Sequence, residues 1–416
     1  MLRNKGINKI SELQTSYTPN GVDCNSVLSG FKALKLTESF SAFKTIKEQG
    51  YGIKEILSVL ILIVVHTEKT VHSYLSGFYG EKVAMGKDVF YRLKNRETIC
   101  WRMILYHIAT LFMNLTAANS TTGTDKSRYL IFDDTTIEKS GKKDGVYRSG
   151  MGPCRKELDM NKINVAMKMF YSAVYRCIKI DYVLVDSWFT CDAFIQAVRS
   201  VKEQAIHLIG MYRIAKTKFE YREMQLTHAE INNRLGKPKR CWKLGYQYKQ
   251  ADVVYNGMRL TLFFSRRGKR DDWKVILTTD KSLSFIKVIE HYQVRWIVEV
   301  FFKETKSLLN LGRCQSSNFD AQIADATISM IAYILLSFRY RYDNYESMGA
   351  LFRSMNADSL RQTLDRRLWG LFLEMIRVVA DLFEIDADEL LGKMLTDPIA
   401  EQRLTKMLGN SLKEAG

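Results

Sequence analysis

Two short apolar runs constrain the fold of this chain more than any other feature: Arg128–Asp133 (RYLIFD) and Asp181–Val185 (DYVLV), the second followed at once by Asp186. Each has the length and composition of a buried strand and each ends in an acid. Helix-like segments, Met160–Tyr175 and Cys191–Val201, lie on either side of the second run, and a third strand candidate follows at Ile206–Tyr212. Strands that alternate with helices read as an α/β fold with parallel strands. In open sheets of that kind, ligand chemistry sits at the carboxyl ends of the strands. A single acid there is most simply a turn or helix cap. Two of them direct attention to a third.

The third comes from Tyr292 to about Asn310 (YQVRWIVEVFFKETKSLLN). Read as one helix at about 100° per residue, Tyr292, Arg295, Glu299 and Lys306 fall within an arc of about 60°, with Lys303 close by. The other faces are strongly apolar, so the spacing predicts a largely buried helix with one charged stripe. The plain reading of that stripe is surface pairing of Arg295 with Glu299. The chemical reading is metal-dependent phosphoryl transfer. Two or three carboxylates hold a pair of Mg²⁺ ions, and Arg, Lys and a tyrosine hydroxyl grip the flanking phosphates.

Charge supports a polyanionic partner. The 416 residues carry 62 Lys and Arg against 45 Asp and Glu, a net +17. The excess is uneven: residues 381–416 are net −4, so residues 1–380 carry +21. Between Asn232 and Gln250 there are six bases and no acid, interleaved with Trp242, Tyr246 and Tyr248. Bases alternating with aromatics suit a phosphate backbone, and they equally suit a solvated hairpin edge. Lys239 and Arg240 are the candidates from this stretch.

Several classes are excluded by motif. The seven cysteines contain no CxxC pair, which argues against a zinc knuckle and for a reduced, intracellular chain. Gly150-x-Gly152 runs into Pro153, so no dinucleotide fingerprint forms, and Gly141-Lys142 is followed by Lys143, which is not a P-loop. The N-terminus lacks the apolar core of a secretory signal, and the most apolar run, Ile56–Val65, is too short to span a bilayer.

The pattern Tyr292-x2-Arg295-x3-Glu299-x6-Lys306 resembles the signature of a large group of bacterial insertion-sequence DDE transposases. Phe132-Asp133-Asp134-Thr135-Thr136 resembles that group's first motif, in which the aspartate before the threonine, here Asp134, is catalytic. Val185-Asp186-Ser187-Trp188-Phe189 resembles its second. The resemblance covers roughly residues 129–342. It implies an RNase H-like core in which Asp134, Asp186 and Glu299 bind Mg²⁺ or Mn²⁺. It implies cleavage at element ends and strand transfer into target DNA, with Tyr292, Arg295 and Lys306 on the phosphates; Lys303, close by on the wheel, is a further phosphate candidate. It further implies terminal inverted repeats and target DNA as partners, a homodimer joined through the C-terminal helices, and a bacterial cytoplasmic, nucleoid-associated location.

The expected organisation is α/β: a helical DNA-end-binding region (1–125), the first part of the catalytic core (126–204), a β-rich insertion (205–281), the second part of the core (282–345) and a C-terminal helical region (346–416). Asn256-Gly257 predicts a hairpin inside the insertion. Fifty-one residues separate Asp134 from Asp186, and the stretch Glu138–Asn161 is polar where an RNase H-like core places a central hairpin. Either this copy lacks that hairpin or the family tolerates a short one. The first case implies a decayed, inactive copy. A stand-alone RNase H-like nuclease and a non-catalytic basic DNA-binding protein are the other readings.

Overall fold

The computed structural model describes residues 34, 50–80, 83–118, 127–135, 161–213, 216–268, 271–316, 318–342, 345–400 and 402–403. Residues 35–49 of the expected helical region and the polar stretch 138–160, with its question of a central hairpin, lie outside the described residues. The chain divides into two compact units, Asn114–Glu304 and Met1–Met113 with Thr305–Gly416.

The first unit is built on one nine-stranded sheet. Its strands are β1 (Tyr129–Phe132), β2 (Tyr182–Val185), β3 (His207–Tyr212), β4 (Lys218–Tyr221), β5 (Met224–Thr227), β6 (Lys239–Cys241), β7 (Tyr246–Tyr255), β8 (Met258–Arg266) and β9 (Lys274–Thr278). They run in the order β1-β2-β3-β9-β8-β7-β4-β5, with β6 also on β7. The first three are parallel and the rest antiparallel. The residues expected to form a β-rich insertion, 205–281, join the same sheet: β3 continues the parallel ladder and β9 pairs with β3.

Two helical layers enclose this sheet, consistent with the expected RNase H-like α/β core. Val183 and Val185 face a core with Phe170 of helix α5 (Lys162–Tyr175) and Phe194 of α6 (Asp192–Ser200). Leu184, one residue out of phase, faces Phe285 and Val288 of α8 (Phe285–Gln293). A strand buried on both faces reads as a continuous apolar run, which is why DYVLV is legible. The Tyr129 hydroxyl and His291 Nδ1 lie 2.6 Å apart and pin α8 to β1.

The Asn256-Gly257 hairpin forms as expected, with φ of 49° and 77°. A second hairpin, β4–β5, turns at Arg222 and Glu223, also with positive φ (51° and 65°). These residues carry no glycine or asparagine signal, so the sequence does not announce the turn. The short helix α7 (His228–Arg234) follows from a capping box, Thr227 with Glu230, that the sequence does display.

The expected helix from Tyr292 to Asn310 is in fact two: α8 ends at Gln293 and α9 spans Trp296–Leu308. Between them the backbone tightens. Arg295 N–H donates to Tyr292 O and Val298 N–H to Arg295 O, both three residues back at 3.1 Å. Such tightening needs no proline or glycine, so a continuous apolar period conceals it. The expected burial also fails: among the described residues of α9 only Thr305 is buried, and Trp296 is 63% exposed.

The other unit is helical: α1 (Ile53–Val65), α2 (Val71–Ser76), α3 (Lys87–Lys94), α4 (Trp101–Ala118, whose last turns belong to the sheet unit), α10 (Phe319–Tyr342), α11 (Met348–Leu382) and α12 (Ala387–Thr396). Ile56–Val65 is buried without interruption and packs with Ile328, Ile331, Leu335 and Leu336 of α10. α10 is long and apolar enough to cross a membrane, yet half of its apolar window is buried against the rest of the chain, as in a core helix. Lys94 and Asp325, 2.5 Å apart, tie α3 to α10.

His66, just past α1, stacks on Tyr79 at 4.0 Å and meets the Ser359 hydroxyl at 2.8 Å. Burial lowers its pKa to about 4. Above pH 6.5 it is neutral folded and unfolded. Between pH 6.5 and 4 only the unfolded chain gains the proton, so stability falls by up to ~3 kcal/mol over that window. Melting curves across it should show the loss, and His66→Asn should flatten that part of the profile.

Candidate active site

The parallel register builds the site. Phe132 pairs with Val185, so one step beyond the ladder Asp133 comes level with Asp186. Asp133, Asp134 and Asp186 each offer a carboxylate oxygen, and these oxygens lie within 4.8 Å of one another. Asp134 and Asp186 therefore meet as the sequence predicts. Asp133, set aside there in favour of Asp134, meets them too, and with a 12% exposed side chain it is the more sheltered of the two neighbours (Asp134 is 44% exposed).

The Asp186 loop is held by its own backbone. The N–H groups of Trp188 and Phe189 donate to Asp186 Oδ1 (2.9 and 3.3 Å), and the Thr190 hydroxyl donates to Asp186 O (2.7 Å). Gly210 on β3 makes room for this loop. A Cβ there would lie 2.3 Å from Thr190 Oγ1 and 2.7 Å from Val185 Cγ2. Gly210→Ala should cost ~1–3 kcal/mol and shift the loop that carries Asp186. Urea denaturation together with metal affinity would register both effects.

Glu299 stands at the edge of this cluster, outside the three converging oxygens. Arg295 bridges it to the site: one guanidinium nitrogen lies 2.7 Å from Asp133 Oδ2 and the other 2.5 Å from Glu299 Oε1. Lys162, at the first turn of α5, lies 2.5 Å from Asp134 Oδ2. Sequence reasoning missed Lys162, since only the tertiary fold brings it there. Burial, the largest influence, raises the Asp133 carboxyl above its ordinary range. The Asp134 N–H and Arg295 oppose that rise, and the charges of Asp186 and Glu299 add to it. Burial also raises the Tyr292 phenol, which stays a protonated donor, and the Arg295 guanidinium lies 5.8 Å from its ring.

The other predicted residues are on α9 and β6. Lys303 and Lys306 are on α9, Lys306 in the part of that helix assigned to the helical unit. Lys239 and Arg240 are on β6, and Arg240 stacks 3.7 Å over the ring of the exposed Trp242. Among the described residues no hydrogen bond or ion pair links Lys239 or Arg240 to the carboxylates.

Hard oxygen donors of this number and spacing fit a small divalent cation. Four carboxylates thus lie beside the cations Arg295 and Lys162. Residues 159–335 match the family model for the transposase DDE domain. Over that span the chain is similar to a transposase DDE domain. The matched span includes Asp186, Tyr292, Arg295, Glu299 and Lys306, while Asp133 and Asp134 precede it. No curated protein matches the chain. Transposases of the DDE type use divalent metals, and the carboxylate cluster supplies the ligand chemistry that this requires.

Proposed function

We propose that this DDE domain cuts DNA at the ends of a mobile element and joins the freed ends to target DNA, in the manner of the bacterial insertion-sequence transposases whose Tyr-Arg-Glu-Lys pattern it shares. The observation that carries the reading is the convergence of Asp133, Asp134 and Asp186 beside the Arg295–Glu299 pair. Magnesium or manganese is the proposed cofactor. Asp133 and Asp186 would hold it, with Asp134 and Glu299 as further ligands. When bound, it polarises the attacked phosphate and lowers the pKa of the attacking hydroxyl or water.

The chain's own groups do the remaining work in this proposal. Arg295 and Tyr292 hold the phosphate flanking the scissile bond, the first by charge and the second by a hydroxyl that burial keeps protonated. Lys303 and Lys306 follow the backbone along α9. Lys239 and Arg240 present charge beside the exposed Trp242 for more distant contacts with double-stranded DNA, at the element's terminal inverted repeats or the target. Two copies would bring two ends together.

The test uses purified full-length protein, DNA carrying the gene's flanking ends, and Mg²⁺ or Mn²⁺, with Glu299→Gln alongside wild type. Boundary nicks that need metal and fall by about a thousandfold or more in the variant are the expected result. Specific binding without nicking, from folded protein, would mark a decayed copy. Neither binding nor nicking would overturn the proposal.

A further inference from the structure

His291, buried on α8, meets β1 at the opposite end of the strand from the carboxylates. Its Nδ1 lies 2.6 Å from the hydroxyl of Tyr129, the first residue of β1. Its ring stacks on Tyr182, the register partner of Tyr129 on β2, at 4.6 Å and 27°. The Tyr182 hydroxyl donates to Asp280 Oδ2 at 3.0 Å, and Asp280 Oδ1 accepts from the Ser282 N–H (2.9 Å) and hydroxyl (2.6 Å). Asp280 lies between β9 and α8, so the seat of His291 joins β1, β2 and the β9–α8 connection to the helix. The proposed chemistry uses none of these groups.

Arg295 is the group that depends on the seat. It lies at the joint between α8 and α9, where Val294 N–H donates to His291 O and Arg295 N–H to Tyr292 O, both at 3.1 Å. On the α8 side Phe285, Val288, Ile289 and His291 are buried, whereas among the described residues of α9 only Thr305 is. The joint therefore takes its place from α8. Apolar packing is non-directional and lets a helix slide along a sheet, whereas one short directional hydrogen bond stops the slide. Arg295 has to reach Asp133 and Glu299 with one guanidinium, at 2.7 and 2.5 Å. A displacement of ~1 Å in such a group can cost ~100-fold in rate.

We propose that the Tyr129–His291 contact positions Arg295, by fixing α8 along β1 so that the guanidinium spans Asp133 and Glu299. Tyr129 and His291 are positioning residues that act through Arg295. The inference rests on the proposed function for its catalytic consequence, while the placement of Arg295 is read without DNA.

A double-mutant cycle in urea tests it on the full chain, without DNA or metal. Arg295→Ala is expected to destabilise wild type, and in a Tyr129→Phe background its effect on the unfolding equilibrium constant should be about tenfold smaller. Tyr129 and Asp133 stand roughly 13 Å apart along β1. Sites that far apart ordinarily add to within about twofold. Tyr129→Phe keeps the ring, so circular dichroism should be unchanged. His291→Phe keeps a ring over Tyr182 and removes Nδ1, and should behave in the cycle as Tyr129→Phe does. With DNA ends, Tyr129→Phe is expected to lower the nicking rate at saturating DNA about tenfold. Additive effects of Tyr129→Phe and Arg295→Ala, to within about twofold, would overturn the inference. So would unchanged nicking by Tyr129→Phe beside an active wild type. A wild type that never nicks fails the proposed function alone, and the cycle then decides the positioning.

Discussion

Asp133→Asn should reduce metal-dependent nicking by about a thousandfold or more, as deeply as Asp186→Asn, whereas Asp134→Asn should cost about tenfold. Asp133 continues the strand register that brings it level with Asp186, and its side chain is sheltered. Asp134 is the more exposed of the pair and already engaged by Lys162. The amide keeps the shape of the carboxylate, so the fold should persist. Calorimetric titration with Mn²⁺ gives a readout independent of turnover: Asp133→Asn should lose most of the affinity and Asp134→Asn little. The reverse order would return the first-motif role to Asp134.

Removal of Arg295 should have the second large effect, and on two observables. Arg295 neutralises both Asp133 and Glu299 from a position only 16% exposed. Arg295→Ala leaves a sheltered carboxylate facing Asp186 and Glu299 with no cation in contact among the described residues. A destabilisation of ~2–4 kcal/mol is expected from denaturant unfolding at neutral pH. The sign of the pH dependence follows from the same contact. Arg295 opposes the rise of the Asp133 carboxyl that burial produces. Without it that carboxyl rises further, so the acid limb of any nicking profile moves to higher pH. The lost stability should return as pH falls and Asp133 takes up its proton. Arg295→Lys keeps the charge but not the fork, and should satisfy one carboxylate at a time.

The fold was legible wherever a strand was buried on both faces. RYLIF, DYVLV and the Asn256-Gly257 hairpin are read from composition and one turn signal, and all three form. The β4–β5 hairpin was not legible, because its left-handed turn residues are Arg222 and Glu223. The break before α9 was hidden for a related reason: two residues of tightened backbone leave the apolar period intact. For the site, elementary reasoning placed an acid directly after each strand, which is Asp133 and Asp186. The family resemblance moved the first to Asp134, and the register brings Asp133 back into the cluster. Glu299 was legible as a partner of Arg295, four residues apart on one helix face. That Arg295 also reaches Asp133, and that Lys162 reaches Asp134, depends on tertiary contacts that no local pattern encodes.

The four-residue pairing of β1 with β2 acts as a fixed-jaw gauge. Adjacent strands are held ~4.8 Å apart by main-chain hydrogen bonds. That spacing, more than any side-chain packing, sets the distance between the two strand-end carboxylates. Substitutions in the surrounding helices can loosen the protein without opening the jaws. A slip of one residue behaves differently, because it turns Asp133 to the opposite face of the sheet. Ion preference in such a centre should therefore tolerate drift in its surroundings and then vanish in a single step.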